Sequence, residues 1–129
     1  MTDIFPSVSL VQLEESYVVA RLDPHATVDV SRALSVTRTS RELSLVCVDS
    51  DVPADAVIDG PWVAFYTEGA IAFGTTGVVA AMTTPLADIG CPVFVVSTFD
   101  GDLVLVPAGR RDDAVIAMTA AGHRISVNG

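Results

Sequence analysis

Asp100-Gly101 sits between two apolar runs, residues 93–98 and 103–106, and fixes how they pair. An Asp-Gly step at such a place favours a tight turn, so the runs form an antiparallel hairpin. Helical patterns flank this hairpin. In residues 77–90, Val78, Met82, Leu86 and Ile89 recur at helical spacing and draw one apolar stripe. Thr76 or Thr75 caps the start, Gly90 stops the helix, and Pro85 inside it predicts a kink. Residues 110–121 read as a second helix, with Asp112 and Asp113 in its first turn, where the helix dipole favours acids. Val115, Met118 and Ala121 or Gly122 give its buried stripe, and Gly122 stops it. Strands at 62–68 and 124–127 complete the order β-α-β-β-α-β. That order is the ferredoxin-like split βαβ arrangement, with both helices on one face of an antiparallel sheet.

The earlier half carries a fainter version of the same pattern. Residues 17–22 read as a strand by their β-branched and aromatic content. Ser7 to Val11 alternates weakly and reads as an edge strand. Residues 23–33 hold Asp23-Pro24-His25 and Asp29-Val30-Ser31, which suggest a turn and one short helical piece. Strands at 34–39 and 43–48 are joined by Ser40-Arg41-Glu42. Asp49, Asp51, Pro53, Asp59 and Pro61 mark residues 49–61 as a loop and as the seam between two halves. The stretch 35–46 also resembles 95–106: strand, hydroxyl residue, polar turn, acid-Leu, then Leu-Val. The expectation is an α+β chain of two ferredoxin-like units. The first, at 1–61, is abbreviated, the second, at 62–129, is complete, and both pack as one compact domain.

Composition bounds the function classes. A chain of 129 residues makes one domain or two very small half-domains. Sixteen acids face seven bases, all arginine, for a formal charge of −9. Such a surface repels phosphate backbones and anionic lipid, which argues against nucleic-acid and membrane partners. Apolar runs such as Val78-Val79-Ala80-Ala81-Met82 fall far short of the roughly 20 residues a membrane-spanning helix needs. The N-terminal residues lack the basic and apolar regions of a signal peptide, so a soluble cytoplasmic protein is expected.

Catalytic and metal-binding patterns are missing from the sequence. Cys47 and Cys91 lie in separate apolar segments and read as buried thiols, with no Cys-x-x-Cys pair. Asp49-Ser50-Asp51 and Asp100-Gly101-Asp102 lack the closing acid of a calcium loop and read as turn acids. Gly74-Thr75-Thr76-Gly77 is followed by no Gly-Lys-Ser/Thr and is not a phosphate loop. His25 and His123 stand in or beside turns and read as solvated surface residues. With no nucleophile motif either, the expectation is a protein without catalytic activity, without a metal and without a cofactor.

One place does offer binding chemistry. The first amides of the helix at 77–90 carry partial positive charge, a natural seat for an α-carboxylate. Gly77 lets a ligand approach the backbone closely. Asp102, at the base of the hairpin, suits an α-ammonium. The plainer alternative is a helix start beside a hairpin turn whose Asp bonds its own backbone.

The run Gly77-Val78-Val79-Ala80-Ala81-Met82 through Leu86-Ala87-Asp88-Ile89-Gly90-Cys91-Pro92-Val93 resembles the signature of ACT domains. Val96-Ser97-Thr98-Phe99-Asp100-Gly101-Asp102-Leu103-Val104 resembles a segment of the CASTOR-type ACT proteins. Tyr17 to Leu22 and Thr37 to Val46 fit the small bacterial members of that group, so the likeness spans about residues 14–127. The resemblance implies tandem ACT units, a homodimer, and a regulatory or sensory role in which a small molecule, most often an amino acid, binds between neighbouring units. It implies ligand contacts at Thr75, Thr76 and Gly77 before the helix and at Thr98, Phe99 and Asp102 on the hairpin. Pro92 and Val93, at the start of the next strand, would come from another subunit. Arginine-sensing members carry an acid at the position of Thr75 and a residue with a backbone N–H at that of Pro92, so the resemblance does not name arginine as ligand. A regulated protein partner is also implied. The competing expectation is a ligand-free module for protein interaction or dimerisation.

Overall fold

The computed structural model describes residues 5–127. In chain order the elements are β1 (Ser9–Gln12), β2 (Tyr17–Leu22), β3 (Ser35–Arg38), β4 (Leu43–Val48), β5 (Val57–Thr67), α1 (Val78–Asp88), β6 (Phe94–Ser97), β7 (Asp102–Pro107), α2 (Arg111–Ala120) and β8 (Arg124–Val127). Short 3₁₀ turns follow β4 and β7. Among the described residues the fold is α+β, with eight strands, mixed pairing and two α-helices, in keeping with a ferredoxin-like arrangement. The chain groups into two units: Glu15–Trp62, and the chain through Glu14 together with Val63 onward.

The unit Glu15–Trp62 is a four-stranded antiparallel arrangement in the order β3-β4-β2-β5, to which β5 contributes its first half. Strands β3 and β4 form a hairpin whose turn is held by Thr39, whose hydroxyl accepts the amides of Arg41 and Glu42. Ala20, Leu22, Leu43 and Leu45 make its core, closed by Ala26, Val28, Val52 and Ala56. The short helical piece expected in 23–33 is absent, and turns stand there instead. Asp23 takes the amide of His25 at 2.8 Å and Asp29 that of Ser31 at 2.9 Å. These local bonds compete with helix formation. The loop expected at 49–61 is also shorter than read. Strand β5 begins at Val57 and carries Asp59, Gly60 and Pro61 inside its pairing with β2.

The other unit holds the β-α-β-β-α-β order, in β5-α1-β6-β7-α2-β8. Strand β7 lies between β6 and β5, and all of Asp102 to Val106 is buried, as befits a central strand. Strand β1 is no edge strand. It lies between β5 and β8, antiparallel to the first and parallel to the second. Leu10, Phe65, Val104 and Val106 from the strands meet Met82, Leu86, Ala114 and Met118 from the helices in one core. Each large side chain there, buried to within 2 % of its surface, contributes about 1.5–3 kcal/mol.

Both helices end as their glycines predict. Gly90 and Gly122 have φ of 68° and 99°. After α1, Gly90 N–H bonds Ala87 O at 3.0 Å and Cys91 N–H bonds Leu86 O at 2.9 Å. After α2, Gly122 N–H bonds Thr119 O at 3.0 Å and His123 N–H bonds Met118 O at 3.1 Å. These are two Schellman stops. In each, the residue after the glycine turns inward, and Cys91 and His123 are both buried. His123 is therefore not the solvated residue the sequence suggests. Ile89, expected on the buried stripe of α1, is 39 % exposed, because the helix has already ended at Asp88. The expected Thr75 or Thr76 cap is absent as well. Gly77 is the N-cap, with φ of 81°, and no side chain caps the helix.

Candidate ligand site

A cavity of about 360 Å³ opens between the start of α1 and the β6–β7 hairpin, all within the unit that contains both. One wall is the first turn of α1. The first intrahelical bond runs from Ala81 N–H to Gly77 O at 2.8 Å, so the amides of Val78, Val79 and Ala80 precede the ladder and carry the positive end of the helix dipole. No acidic side chain stands in that turn to neutralise it.

The opposite wall is the hairpin. Its turn is locked by Thr98. Thr98 N–H donates to Gly101 O at 2.8 Å, and the Thr98 hydroxyl accepts from Gly101 N–H at 3.1 Å. Asp102 begins β7 with 9 % of its surface exposed. Its Oδ1 accepts from Ser97 Oγ at 2.5 Å, and its backbone N–H donates to Thr67 Oγ1 at 3.0 Å. The alternative of an Asp bonded to its own backbone turn is thus replaced by a cross-strand bond to Ser97. Among the described lining residues, Asp102 carries the only ionisable side chain.

A loop over residues 68–77 closes the third side. Ile71 N–H donates to Asp100 O at 2.7 Å, which ties the loop to the hairpin tip. Phe73 from this loop meets Phe99 from the hairpin edge-to-face, with ring centroids 4.7 Å apart. These rings are 75 % and 77 % exposed, an unusual display for two phenylalanines in contact at the rim of a cavity.

Of the residues singled out in the sequence, Thr75, Gly77, Thr98, Phe99 and Asp102 line this cavity together. Thr76 is exposed beside it and does not line it. Pro92 and Val93 stand outside it, exposed ahead of β6. Phe73, Ile71 and Ser97 line it and were not foreseen. Ile71 and Phe73 lie in an apolar stretch before Gly74 whose partner the sequence does not name, and Ser97 falls inside a strand run. No group of His, Cys, Asp and Glu side chains that would hold a metal occurs among the described residues. No described helix is long and apolar enough to cross a membrane.

A hairpin-centred sheet, two helices and a cavity at the start of the first helix form the arrangement expected of an ACT domain. The family model of the ACT domain matches residues 57–120, and a model of an N-terminal domain matches residues 15–55. The chain belongs to the same family as protein Atu0741 from Agobacterium tumefaciens, to which it is 36 % identical over 96 % of either chain, with a TM-score of 0.87. It shares its fold with the Vibrio cholerae protein VC0802, described as a possible transport protein, at 19 % identity and a TM-score of 0.74 over 89 % of this chain and 90 % of that one. It also shares its fold with the regulatory subunit of aspartate kinase from Thermus flavus. There the identity is 12 % and the TM-score 0.63, over 90 % of this chain and 99 % of that one. No curated protein matches the chain.

Proposed function

We propose that the protein is a regulatory ACT module that binds a free amino acid in the cavity between α1 and the β6–β7 hairpin and has no catalytic activity of its own. The observation that carries this reading is the pairing of opposite charges across one cavity. The unneutralised amides of Val78 to Ala80 form one wall and the Asp102 carboxylate stands on the other. An α-amino acid presents the complementary pair, a carboxylate for the helix start and an ammonium for Asp102. The ACT match over residues 57–120 supports the same reading. Thr75, Gly77, Thr98 and Phe99 are the further contacts in this proposal, and Thr76, beside the cavity, is not among them. Pro92 and Val93 would close the site from a second copy in a homodimer. The same reading takes the chain as CASTOR-like, with 1–61 an abbreviated unit before the complete one at 62–129, and as a cytoplasmic protein that passes the binding signal to a protein partner.

The test is thermal denaturation of the full chain with each of the twenty amino acids at millimolar concentration. A ligand at about 100 times its Kd adds roughly 2.7 kcal/mol, a rise on the order of 10 °C for a domain of this size. One amino acid is expected to give that rise and to lose it in Asp102→Ala. A panel without any response would leave the ligand-free interaction module as the better account.

A further inference from the structure

Helix α1 contains Pro85, and a proline has no N–H to give. In a regular helix the missing N–H would have gone to the carbonyl four residues earlier, that of Ala81. Ala81 is 3 % exposed, so water is not at hand to replace it, and a buried carbonyl left unpaired is costly. The replacement comes from across the fold. His123 Nε2 lies 2.7 Å from Ala81 O. The other ring nitrogen, Nδ1, lies 3.0 Å from the backbone nitrogen of Val8. An amide N–H only donates, so Nδ1 must be the acceptor and keep its lone pair. The proton then sits on Nε2 and points at Ala81 O. A neutral imidazole in the Nε2–H form satisfies both neighbours at once, and no other form does.

We infer that His123 is the positioning residue of α1: its Nε2–H stands in for the donor that Pro85 removes, and its ring pins the first turn of the helix to Val8, just ahead of β1. The Schellman stop after Gly122 aims the ring inward. Arg124 N–H bonds Val8 O at 3.1 Å, so both backbone groups of Val8 are held by the same two residues, 123 and 124. Ala81 directly follows Val78, Val79 and Ala80, which wall the cavity. The ring therefore sets where those amides stand. Its consequence for ligand affinity rests on the proposed function, whereas the pairing of Pro85 with His123 does not.

Two measurements on the full chain test this. Long-range proton–nitrogen NMR of the imidazole is expected to show a single Nε2–H form with an unprotonated Nδ1. A ring protonated at Nδ1, or exchanging between forms, would overturn the inference. The second is a double-mutant cycle read by thermal denaturation. Pro85→Ala returns the N–H to position 85, so the fall in Tm caused by His123→Ala should shrink in the Pro85→Ala background. An equal fall in both backgrounds overturns the pairing. Should His123→Ala fail to fold, His123→Leu, which fills more of the space and has no donor, takes its place in the cycle, and the NMR result decides independently of either. Coupling with no amino-acid response would sink the proposed function and leave this inference standing. A ligand response with additive stabilities would do the reverse.

Discussion

Ser97 Oγ stands 2.5 Å from Asp102 Oδ1, across the rung of the β6–β7 ladder where these two residues face each other. The hydroxyl donates and the carboxylate accepts, so one oxygen of Asp102 is held in place by the hairpin itself. A bond of this charge-assisted kind orients the carboxylate before any ligand arrives. Asp102→Asn removes the charge and keeps the shape and the capacity to accept from Ser97. It is expected to change stability by no more than about 1.5 kcal/mol and to abolish the thermal response to the proposed amino-acid ligand. Full retention of that response would show that the charge of Asp102 plays no part in binding.

Gly101 is fixed by the same corner. A Cβ at this position would collide with Thr67 Oγ1, and that oxygen is the acceptor for the Asp102 N–H. Thr67 is buried, so it has no room to step aside. Gly101→Ala should therefore cost about 1–3 kcal/mol, as overpacking does, with a fall in Tm on the order of 5–10 °C. An unchanged denaturation curve would show that the hairpin accommodates the methyl group.

The residues behind these two predictions show what the sequence discloses. Asp100-Gly101 and the helix-stopping Gly90 and Gly122 encode local backbone geometry, and local geometry is legible from residue type. The lateral position of β1 is not. Four residues with weak alternation specify a strand but not its neighbours, and only the closed core shows β1 between β5 and β8. Asp59, Gly60 and Pro61 read as loop because their types favour turns, yet β5 runs through them: Asp59 pairs with Val19, and Gly60 and Pro61 sit at an irregularity before Trp62 pairs with Tyr17. The cavity was half legible. Gly77 and Asp102 announce their chemistry by type and place, whereas Phe73 reaches Phe99 only through a loop whose path depends on the Ile71–Asp100 bond. His123 was misread because a histidine after a glycine stop looks like a turn residue. Its burial follows from the direction in which a Schellman stop sends the chain.

Arg110 finishes helix α1 from outside. Its guanidinium donates to Ile89 O at 3.0 Å and to Gly90 O at 3.4 Å, at the negative end of the helix dipole. A cation there contributes about 0.3–1 kcal/mol when partly exposed. Arg110→Ala should lower the Tm by a few degrees at low salt and by less at high salt, because screening weakens the wild-type contact. A loss independent of ionic strength would assign the effect to packing of the arginine stem.

Alkaline pH should destabilise the protein through groups that burial keeps protonated. Burial pushes the Cys47 thiol above its ordinary 9.0, helped by Asp51 and Asp49. Burial does the same to Cys91, with Arg110 opposing and Asp113 adding to it. Tyr17 is raised above 10.0 by burial and by Glu15. In the unfolded chain these groups lose their protons at their ordinary values, while the folded chain still holds them. The folded state then binds more protons than the unfolded one, so stability falls as pH rises. The contribution is fully present below about pH 9 and is lost progressively above it, first through the thiols and then through Tyr17. Urea denaturation from about pH 8 to about pH 10.5 should show a midpoint that declines in this window. Replacing both cysteines by alanine should flatten the first part of the decline, whatever it does to the starting level. A midpoint constant across the window in the wild-type chain would contradict the assignment.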